Sequence, residues 1–226
     1  LRGPQEDGYG HCGRAQDRKI VVNDIWIWAE HRGGVFEEAA FGLIGEARRL
    51  LSQTGNKGRI TAVVMGEGLG PELEKLGFFG ADRVRYVEGK DLSRIQGELF
   101  ARVLFRLIQR EGPYGLLMAQ NAQTADLAPR LRALLETGLV TCAMDLQVDS
   151  KGRWVVTRPV ANGYLFEDVR LECDTLPMVS FLPSVLIPPE PDTERKAEIH
   201  VEPLEVSPDD LATQVIRVMD ADPEHL

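Results

Sequence analysis

The sequence predicts an α/β domain in which helices cover both faces of a parallel sheet, with an antiparallel β supplement in its C-terminal third. Three observations predict this class. Strand and helix patterns alternate four times between residues 24 and 136 with short connections, which is typical of right-handed βαβ units. After Gly138 the pattern changes to short β-like runs. No run approaches the roughly 18 apolar residues of a transmembrane helix.

In the first part of the chain, each predicted strand is a short apolar run and each predicted helix has apolar residues at helical spacing. The strands are predicted at residues 24–30, 59–65, 83–87 and 115–119. The helices are predicted at residues 37–54, at a short segment beginning near Pro71, and at residues 91–110 and 125–136. Glycines follow three of these helices and end them.

The last third contains short runs that favour an antiparallel arrangement. They lie at residues 139–142, 145–148, 154–157, 163–166, 169–172 and 177–182. Residues 149–152 have the composition of a hairpin turn. Prolines at 183, 188, 189 and 191 exclude a helix there, and residues 199–204 are predicted to be a last strand at a sheet edge.

Both ends of the chain differ from the domain at residues 24–206. Residues 1–23 are polar and glycine-rich, and we expect an N-terminal extension without the apolar centre of a signal peptide. Residues 207–226 are expected to form a helix and then a linker. Ser207 and Pro208 suit its first positions, and Pro223 lies in an acidic tail without periodicity.

Composition and motifs exclude several functions. The 226 residues carry a net charge of −9, which argues against nucleic acid or an anionic membrane as a partner. Three cysteines form no CxxC pair, so neither a redox dithiol nor a zinc ribbon is supported. Free thiols are favoured, and Cys142 and Cys173 are expected to be buried. The four histidines are far apart, and no HExxH or GxSxG motif occurs. We therefore expect no catalytic site, no metal site and no self-contained enzyme.

Four signals occur together in a fixed order. WIWAE at 26–30 precedes GEAR at 45–48, and NAQTADLAPR at 121–130 follows an apolar strand. TGLVTC at 137–142 comes next, and VTRPV at 156–160 is followed by LPM at 176–178. Their order and spacing resemble the N-terminal domain of the electron-transfer flavoprotein alpha subunit, over about residues 20–226.

The resemblance implies a Rossmann-like fold of the adenine-nucleotide alpha-hydrolase type. It implies a heterodimer with a beta subunit that holds AMP, or a second FAD in electron-bifurcating members. The FAD-binding C-terminal domain of the alpha subunit is absent from this chain, and we expect it to follow residue 226. The chain would then be the static base of an electron carrier rather than an enzyme by itself.

The resemblance also bounds the partners and the compartment. Electron donors would be dehydrogenases, and acceptors would be ferredoxin or quinone reductase systems. A bacterial or archaeal cytoplasm is favoured over the mitochondrial matrix. A stand-alone adenine-nucleotide-binding module is the alternative function, since ligands gather at the carboxyl ends of strands in such sheets.

Two places depart from the family pattern. Residues 161–164 are ANGY where the family often has Gly-Gly-Asn, so that Tyr164 is unusual. Residues 180–182 are SFL where the family usually has Thr-Val-Arg. Leu182 therefore removes a fixed cation and five donors from any flavin or interface contact at that position.

The loop at 121–126 is the first candidate cofactor-binding site. It follows a strand and opens a helix, so its backbone N–H groups and the helix dipole would suit an anion near Asn121 and Thr124. The loop lacks glycine, and Thr124 as a simple helix cap is the favoured interpretation. The glycine-containing loops at 31–34 and 66–70 are more typical of turns than of ligand sites.

Arg158 is the second candidate. It lies within the Thr-Arg-Pro match at the end of an apolar strand, and a guanidinium beside a flavin would stabilise the anionic reduced ring. A structural salt bridge with one of the many carboxylates explains the same residue equally well.

Overall fold

The computed structural model describes residues 24–54, 57–93, 96–171, 176–207, 211–213 and 215–216. The strands, in chain order, are β1 (Ile25–Trp28), β2 (His31–Arg32), β3 (Val35–Phe36), β4 (Ile60–Gly66), β5 (Arg83–Glu88), β6 (Gly115–Ala119), β7 (Leu139–Ala143), β8 (Asp145–Val148), β9 (Trp154–Val160), β10 (Leu165–Leu171), β11 (Met178–Phe181) and β12 (Glu198–Pro203). The helices are α1 (Glu38–Thr54), α2 (Leu73–Phe78), α3 (Gly97–Glu111) and α4 (Ala122–Leu135).

The main sheet has seven parallel strands in the order β12-β5-β4-β1-β6-β11-β7. Side chains alternate across its plane. Ile25 and Ile27 of β1 join the core under α1 and α2, whereas Trp26 and Trp28 join the core under α3 and α4. The predicted parallel sheet with helices on both faces is therefore confirmed.

The antiparallel supplement is confirmed as a three-stranded sheet in the order β10-β9-β8, but two of the runs assigned to it were placed wrongly. Strands β7 and β11 pair in parallel with each other and belong to the main sheet. Each is too short for its residue pattern to reveal strand direction. The predicted edge strand is confirmed, since β12 pairs only with β5 along the edge of the described sheet.

The connection from β11 to β12 passes over helices α1 and α2, and it contacts each of them at a glycine. A Cβ on Gly42 of α1 would lie 2.7 Å from Cβ of Leu186, and one on Gly77 of α2 would lie 2.6 Å from the backbone nitrogen of Ala197. Because those glycines have no side chain, the extended chain can pass directly over both helices. This route brings β12 to the far edge of the sheet.

Some predicted boundaries shift. Helix α3 begins at Gly97 instead of residue 91, and α4 begins at Ala122 instead of residue 125. Cys142 is half-buried with a φ of 58°, so the expected burial of this thiol was wrong. None of the described helices is long and apolar enough to span a membrane.

The predicted N-terminal extension, residues 1–23, lies outside the described residues. Of residues 207–226, only 207, 211–213 and 215–216 are described, and these six are not helical. The division into extension, domain and linker stays a prediction.

Candidate functional site

The carboxyl edge of the sheet contains the position where open α/β sheets bind ligands. The chain runs from β1 to β4 and β5 on one side, and then returns to place β6 on the other side of β1. A crevice lies at such a reversal, beyond the carboxyl ends of the two diverging strands. Here it lies between Glu30, which follows β1, and the N-terminus of α4, which follows β6.

The N-terminus of α4 is closed by a capping box. The Asn121 side chain accepts a hydrogen bond from the Thr124 backbone N–H at 2.9 Å, and the Thr124 hydroxyl accepts one from the Asn121 backbone N–H at 3.0 Å. The Thr124 hydroxyl also donates to the Ala119 carbonyl at 2.5 Å, and this side chain is buried. The cap is thus Asn121, and Thr124 is its partner one turn into the helix.

The Glu30 carboxylate occupies the crevice. It accepts a hydrogen bond from the Asn121 side-chain amide. With the Gln123 amide oriented to donate, its nitrogen lies 2.7 Å from Oε1 of Glu30. Burial raises the pKa of the Glu30 carboxyl above its usual range, and the repulsion from Glu37 adds to this, against the hydrogen bond from Asn121. A half-buried carboxylate is therefore held by neutral amides.

The loops beside Glu30 are fixed by a histidine. Strands β2 and β3 form a short hairpin with left-handed turn residues Gly33 and Gly34. His31 Nε2 lies 2.8 Å from the Met65 carbonyl oxygen at the end of β4. A Cβ on Gly66 would lie 2.6 Å from that nitrogen, so a larger residue at this position would push the His31 ring away from the Met65 carbonyl. His31 therefore joins two strand ends and is not part of an ordinary exposed turn.

Arg158 lies in the antiparallel sheet, away from this crevice. It stands directly opposite Glu167 across the β9–β10 pair, and its Nε and Nη2 each lie 2.6 Å from Oε1 of Glu167. Both side chains stay more than one third exposed. The alternative of a structural salt bridge is present in the structure, while the flavin-facing role stays a prediction.

The hairpin tip, which we define as residues 158–167, has apolar side chains exposed on both of its faces. Leu165 and Phe166 are 62% and 60% exposed, and Tyr164 is 87% exposed. Ala161, Asn162 and Gly163 all have left-handed φ values of 49°, 56° and 86°. Three such residues in succession turn the chain sharply and leave the tip standing out from the domain body.

The amino edge of the sheet holds a different cluster. A cavity of about 420 Å³ opens there beside Trp26. Arg85 lies 2.8 Å from Glu111 and 3.0 Å from Glu202, while Arg83 lies 3.7 Å from Glu198. The amino-edge network consists of Asp24, Arg59, Arg83, Arg85, Arg110, Glu111, Glu198 and Glu202. Its four arginines and four carboxylates balance, so it is a self-neutralising ion-pair network.

The sequence profile of the electron transfer flavoprotein domain matches residues 25–207, which is most of the chain. The chain belongs to the electron transfer flavoprotein domain family. The resemblance to the N-terminal domain of the alpha subunit is thereby confirmed, and so is the fold class.

Three relatives show the range of similarity. The electron transfer flavoprotein subunit alpha of Bacillus subtilis is 30% identical over 195 residues, covering 86% of this chain and 58% of the relative. Protein FixB of Clostridium saccharobutylicum is 29% identical over 199 residues, with the same coverage. The acryloyl-CoA reductase electron transfer subunit beta of Anaerotignum propionicum is 31% identical over 126 residues, covering 56% of this chain and 34% of the relative.

The chain therefore spans 58% of the length of each of the first two relatives. The family binds flavin in general. The crevice does not suit a flavin phosphate, because the Glu30 carboxylate already uses the amides of Asn121 and Gln123. Within the described residues, no group of three or more histidine, cysteine, aspartate or glutamate side chains is arranged to hold a metal ion.

Sequence reasoning did not select Glu30, although this residue ends the WIWAE segment. The available signal was an acidic residue directly after a buried strand. A later helix begins at the same edge of the sheet, after another strand. Glu30 was not selected because a carboxylate at the end of a strand usually points into water. The Glu30 contacts depend on the pairing of β1 with β6, which joins residues some 90 positions apart.

Proposed function

We propose that this chain is the scaffold domain of the alpha subunit of a heterodimeric electron-transfer flavoprotein. FAD is then held mainly by a further domain of the alpha subunit and by the beta subunit. Family membership supports the class of protein. The observation on this chain that carries the heterodimer is the hairpin tip with its exposed apolar side chains.

The register of the hairpin supports a docking role. Residues opposite one another share a face, and successive residues alternate between faces. The face that buries Trp154 and Val156 in the core continues outward through Arg158 to Val160 and Leu165. Phe166 lies opposite Pro159 on the other face. Apolar groups on both faces of a protruding hairpin suit insertion against a protein partner.

The electron path follows from the proposed class. Electrons pass from a dehydrogenase to a ferredoxin or quinone reductase acceptor through FAD, and the complex works in the cytoplasm. Arg158, with its guanidinium more than one third exposed, is the group of this chain that we place toward a flavin. The nucleotide extracted from the beta subunit decides the subtype, since AMP excludes bifurcation through that subunit and a second FAD supports it.

Coexpression with the beta subunit of the same organism tests the proposal. The full-length protein should purify as a yellow heterodimer. Leu165→Asp should weaken the heterodimer at least about tenfold, because a charge would be desolvated in the interface. Ile187→Asp is the matched control, since Ile187 is 79% exposed on another face of the domain. Equal affinity for both variants would contradict the docking role of the hairpin tip.

The alternative is a stand-alone adenine-nucleotide-binding module. The fold supports it, because the crevice lies where such nucleotides bind. The Glu30 carboxylate argues against it, since an anionic phosphate would meet a negative charge in the same place. A colourless monomer of the wild-type protein that binds AMP would favour this alternative over the scaffold.

A further inference from the structure

The cavity at the amino edge has an uneven distribution of charge around it, although the amino-edge network as a whole is neutral. All four arginines of the network line its wall. Of the four carboxylates, Asp24 and Glu111 line the cavity, whereas Glu198 and Glu202 are not part of its wall. Among the residues that the structure describes, guanidinium groups therefore outnumber carboxylates on the wall, which favours an anion inside.

Two of the four arginines are held closely by carboxylates of the network. Arg85 donates a hydrogen bond from Nη1 to Oε1 of Glu202 at 3.0 Å, and its Nη2 lies 2.8 Å from Oε1 of Glu111. Arg110 donates to the other carboxylate oxygen of Glu202. Because these contacts are short, Arg85 and Arg110 stabilise the fold, and binding of a ligand depends on the other two arginines, Arg59 and Arg83.

Arg83 is held only loosely by its neighbours. Its side chain is 19% exposed, and the carboxylates of Asp24, Glu111 and Glu198 lie 3.8, 4.0 and 3.7 Å from it. These distances allow attraction between charges but exceed the length of a hydrogen bond. Its Nε is buried and has no hydrogen-bond partner within the described part of the chain. Because a buried donor without an acceptor destabilises the protein, an acceptor that enters the cavity beside Arg83 would be favoured.

Arg59 and Arg83 share one carboxylate oxygen of Glu198. Arg59 Nη1 lies 3.5 Å and Arg83 Nε lies 3.7 Å from Oε2 of Glu198, while Oε1 lies 2.8 Å from Nε2 of His200. The Glu198 side chain is 54% exposed on the edge strand β12, so it can turn away from the arginines and stay in water. The position between the two guanidinium groups is therefore held by a carboxylate that a ligand can displace.

The shape of the cavity indicates the chemical class of the ligand. Its volume of about 420 Å³ lies in the range of small-molecule sites and exceeds what a simple ion needs. A phosphate group presents several oxygens at once, and these match the planar donors of two guanidinium groups. Beside the arginines, Trp26, Gly112 and Pro113 form an apolar part of the wall. This part suits a small organic group attached to the phosphate.

We propose that the amino-edge cavity binds a phosphate group, either free or as the monoester of a small molecule, which Arg59 and Arg83 hold in place of Oε2 of Glu198. The cavity lies at the opposite edge of the sheet from the crevice at α4, so it is separate from the position where open α/β sheets bind nucleotides. Binding depends only on residues of this chain, whether or not the chain docks a beta subunit.

Calorimetric titration of the full-length protein with sodium phosphate, at neutral pH and constant ionic strength, tests the proposal. The wild type should bind phosphate saturably. Arg83→Gln should raise the Kd at least about tenfold, because the cavity loses a charged hydrogen-bond donor. Glu198→Gln should lower the Kd about threefold, because a neutral amide competes less well with phosphate for the arginines. Arg32→Gln is the control and should leave the Kd unchanged, since Arg32 is 87% exposed beside Glu37 and is not part of the cavity wall.

Two further ligands and one further variant complete the test. Phenyl phosphate that binds more tightly than phosphate assigns the cavity to a monoester, whereas equal or weaker binding assigns it to the free ion. If Arg83→Gln does not fold, Arg59→Gln takes its place, since Arg59 is 52% exposed, and it should raise the Kd at least about threefold. The proposal is overturned if neither the wild type nor Glu198→Gln binds phosphate, if the arginine variant of the cavity binds it as tightly as Arg32→Gln does, or if acetate binds as tightly as phosphate.

Discussion

The two edges of the parallel sheet hold their charged side chains in different ways. At the amino edge, four arginines and four carboxylates neutralise one another around a cavity. At the carboxyl edge, Glu30 is held by the neutral amides of Asn121 and Gln123. The burial of a carboxylate is offset by opposite charge in one case and by hydrogen-bond donors in the other. Removing a charged partner should therefore destabilise the amino edge, whereas removing or misplacing a neutral hydrogen-bond donor should destabilise the carboxyl edge.

Breaking the amino-edge network should have the largest effect on stability. Arg85 is 17% exposed and contacts Glu111 and Glu202, so Arg85→Met leaves two partly buried carboxylates short of a cation. We expect a loss of about 2 kcal/mol in the free energy of unfolding, measured by urea denaturation.

Arg130→Met is the control for this prediction. Arg130 pairs with Asp126 on the surface of α4, and both side chains are more than 40% exposed. Its loss should cost about 0.5 kcal/mol or less. Equal losses for the two variants would contradict the prediction, because they would show that the partly buried ion pairs of Arg85 stabilise the protein no more than an exposed pair does.

A neutral group at the carboxyl edge should have an intermediate effect. Thr124 is buried, and its hydroxyl both donates to the Ala119 carbonyl and accepts from the Asn121 N–H. Thr124→Val removes both bonds without changing the volume, so we expect a loss of about 1–2 kcal/mol in thermal or urea unfolding. Thr54→Val, at the exposed end of α1, should change stability by less than about 0.5 kcal/mol.

The sequence predicted more of the fold than of the site. Strands β1 and β4 were found as apolar runs because both of their faces are buried. Helices α1 and α3 were found by helical spacing because each buries one apolar face, although α3 begins at Gly97 instead of residue 91. Strands β7 and β11 were assigned to the wrong sheet, since their direction is set by chain crossovers and not by their own residues. Asn121 and Thr124 were found through their place before a helix, whereas Glu30 needed the order of the strands. A helix cap can be predicted from neighbouring residues, whereas a contact between distant strand ends cannot.

The smallest expected effect is a difference between the pKa values of one carboxyl group at each edge, Glu198 and Glu30, and between their responses to salt. At the amino edge, the hydrogen bond from His200, followed by the charges of Arg83 and Arg59, lowers the pKa of Glu198. At the carboxyl edge, burial raises the pKa of Glu30. As pH falls from neutral, an NMR titration of the side-chain carboxyl carbons should therefore show Glu30 taking up its proton before ordinary glutamates and Glu198 after them.

The same shifts set opposite contributions to stability. Glu198 stabilises the fold above its unfolded pKa, and this contribution disappears as pH falls through its lower folded pKa. Glu30 contributes in the opposite direction, because its native form binds the proton more tightly, so that its contribution is largest in acid and disappears as pH rises through its folded pKa. Added salt should move the pKa of Glu198 toward its ordinary value by screening the arginines, and should leave that of Glu30 nearly unchanged. If both values respond equally to salt, then Glu30 is held by charge after all, and the contrast between the two edges is wrong.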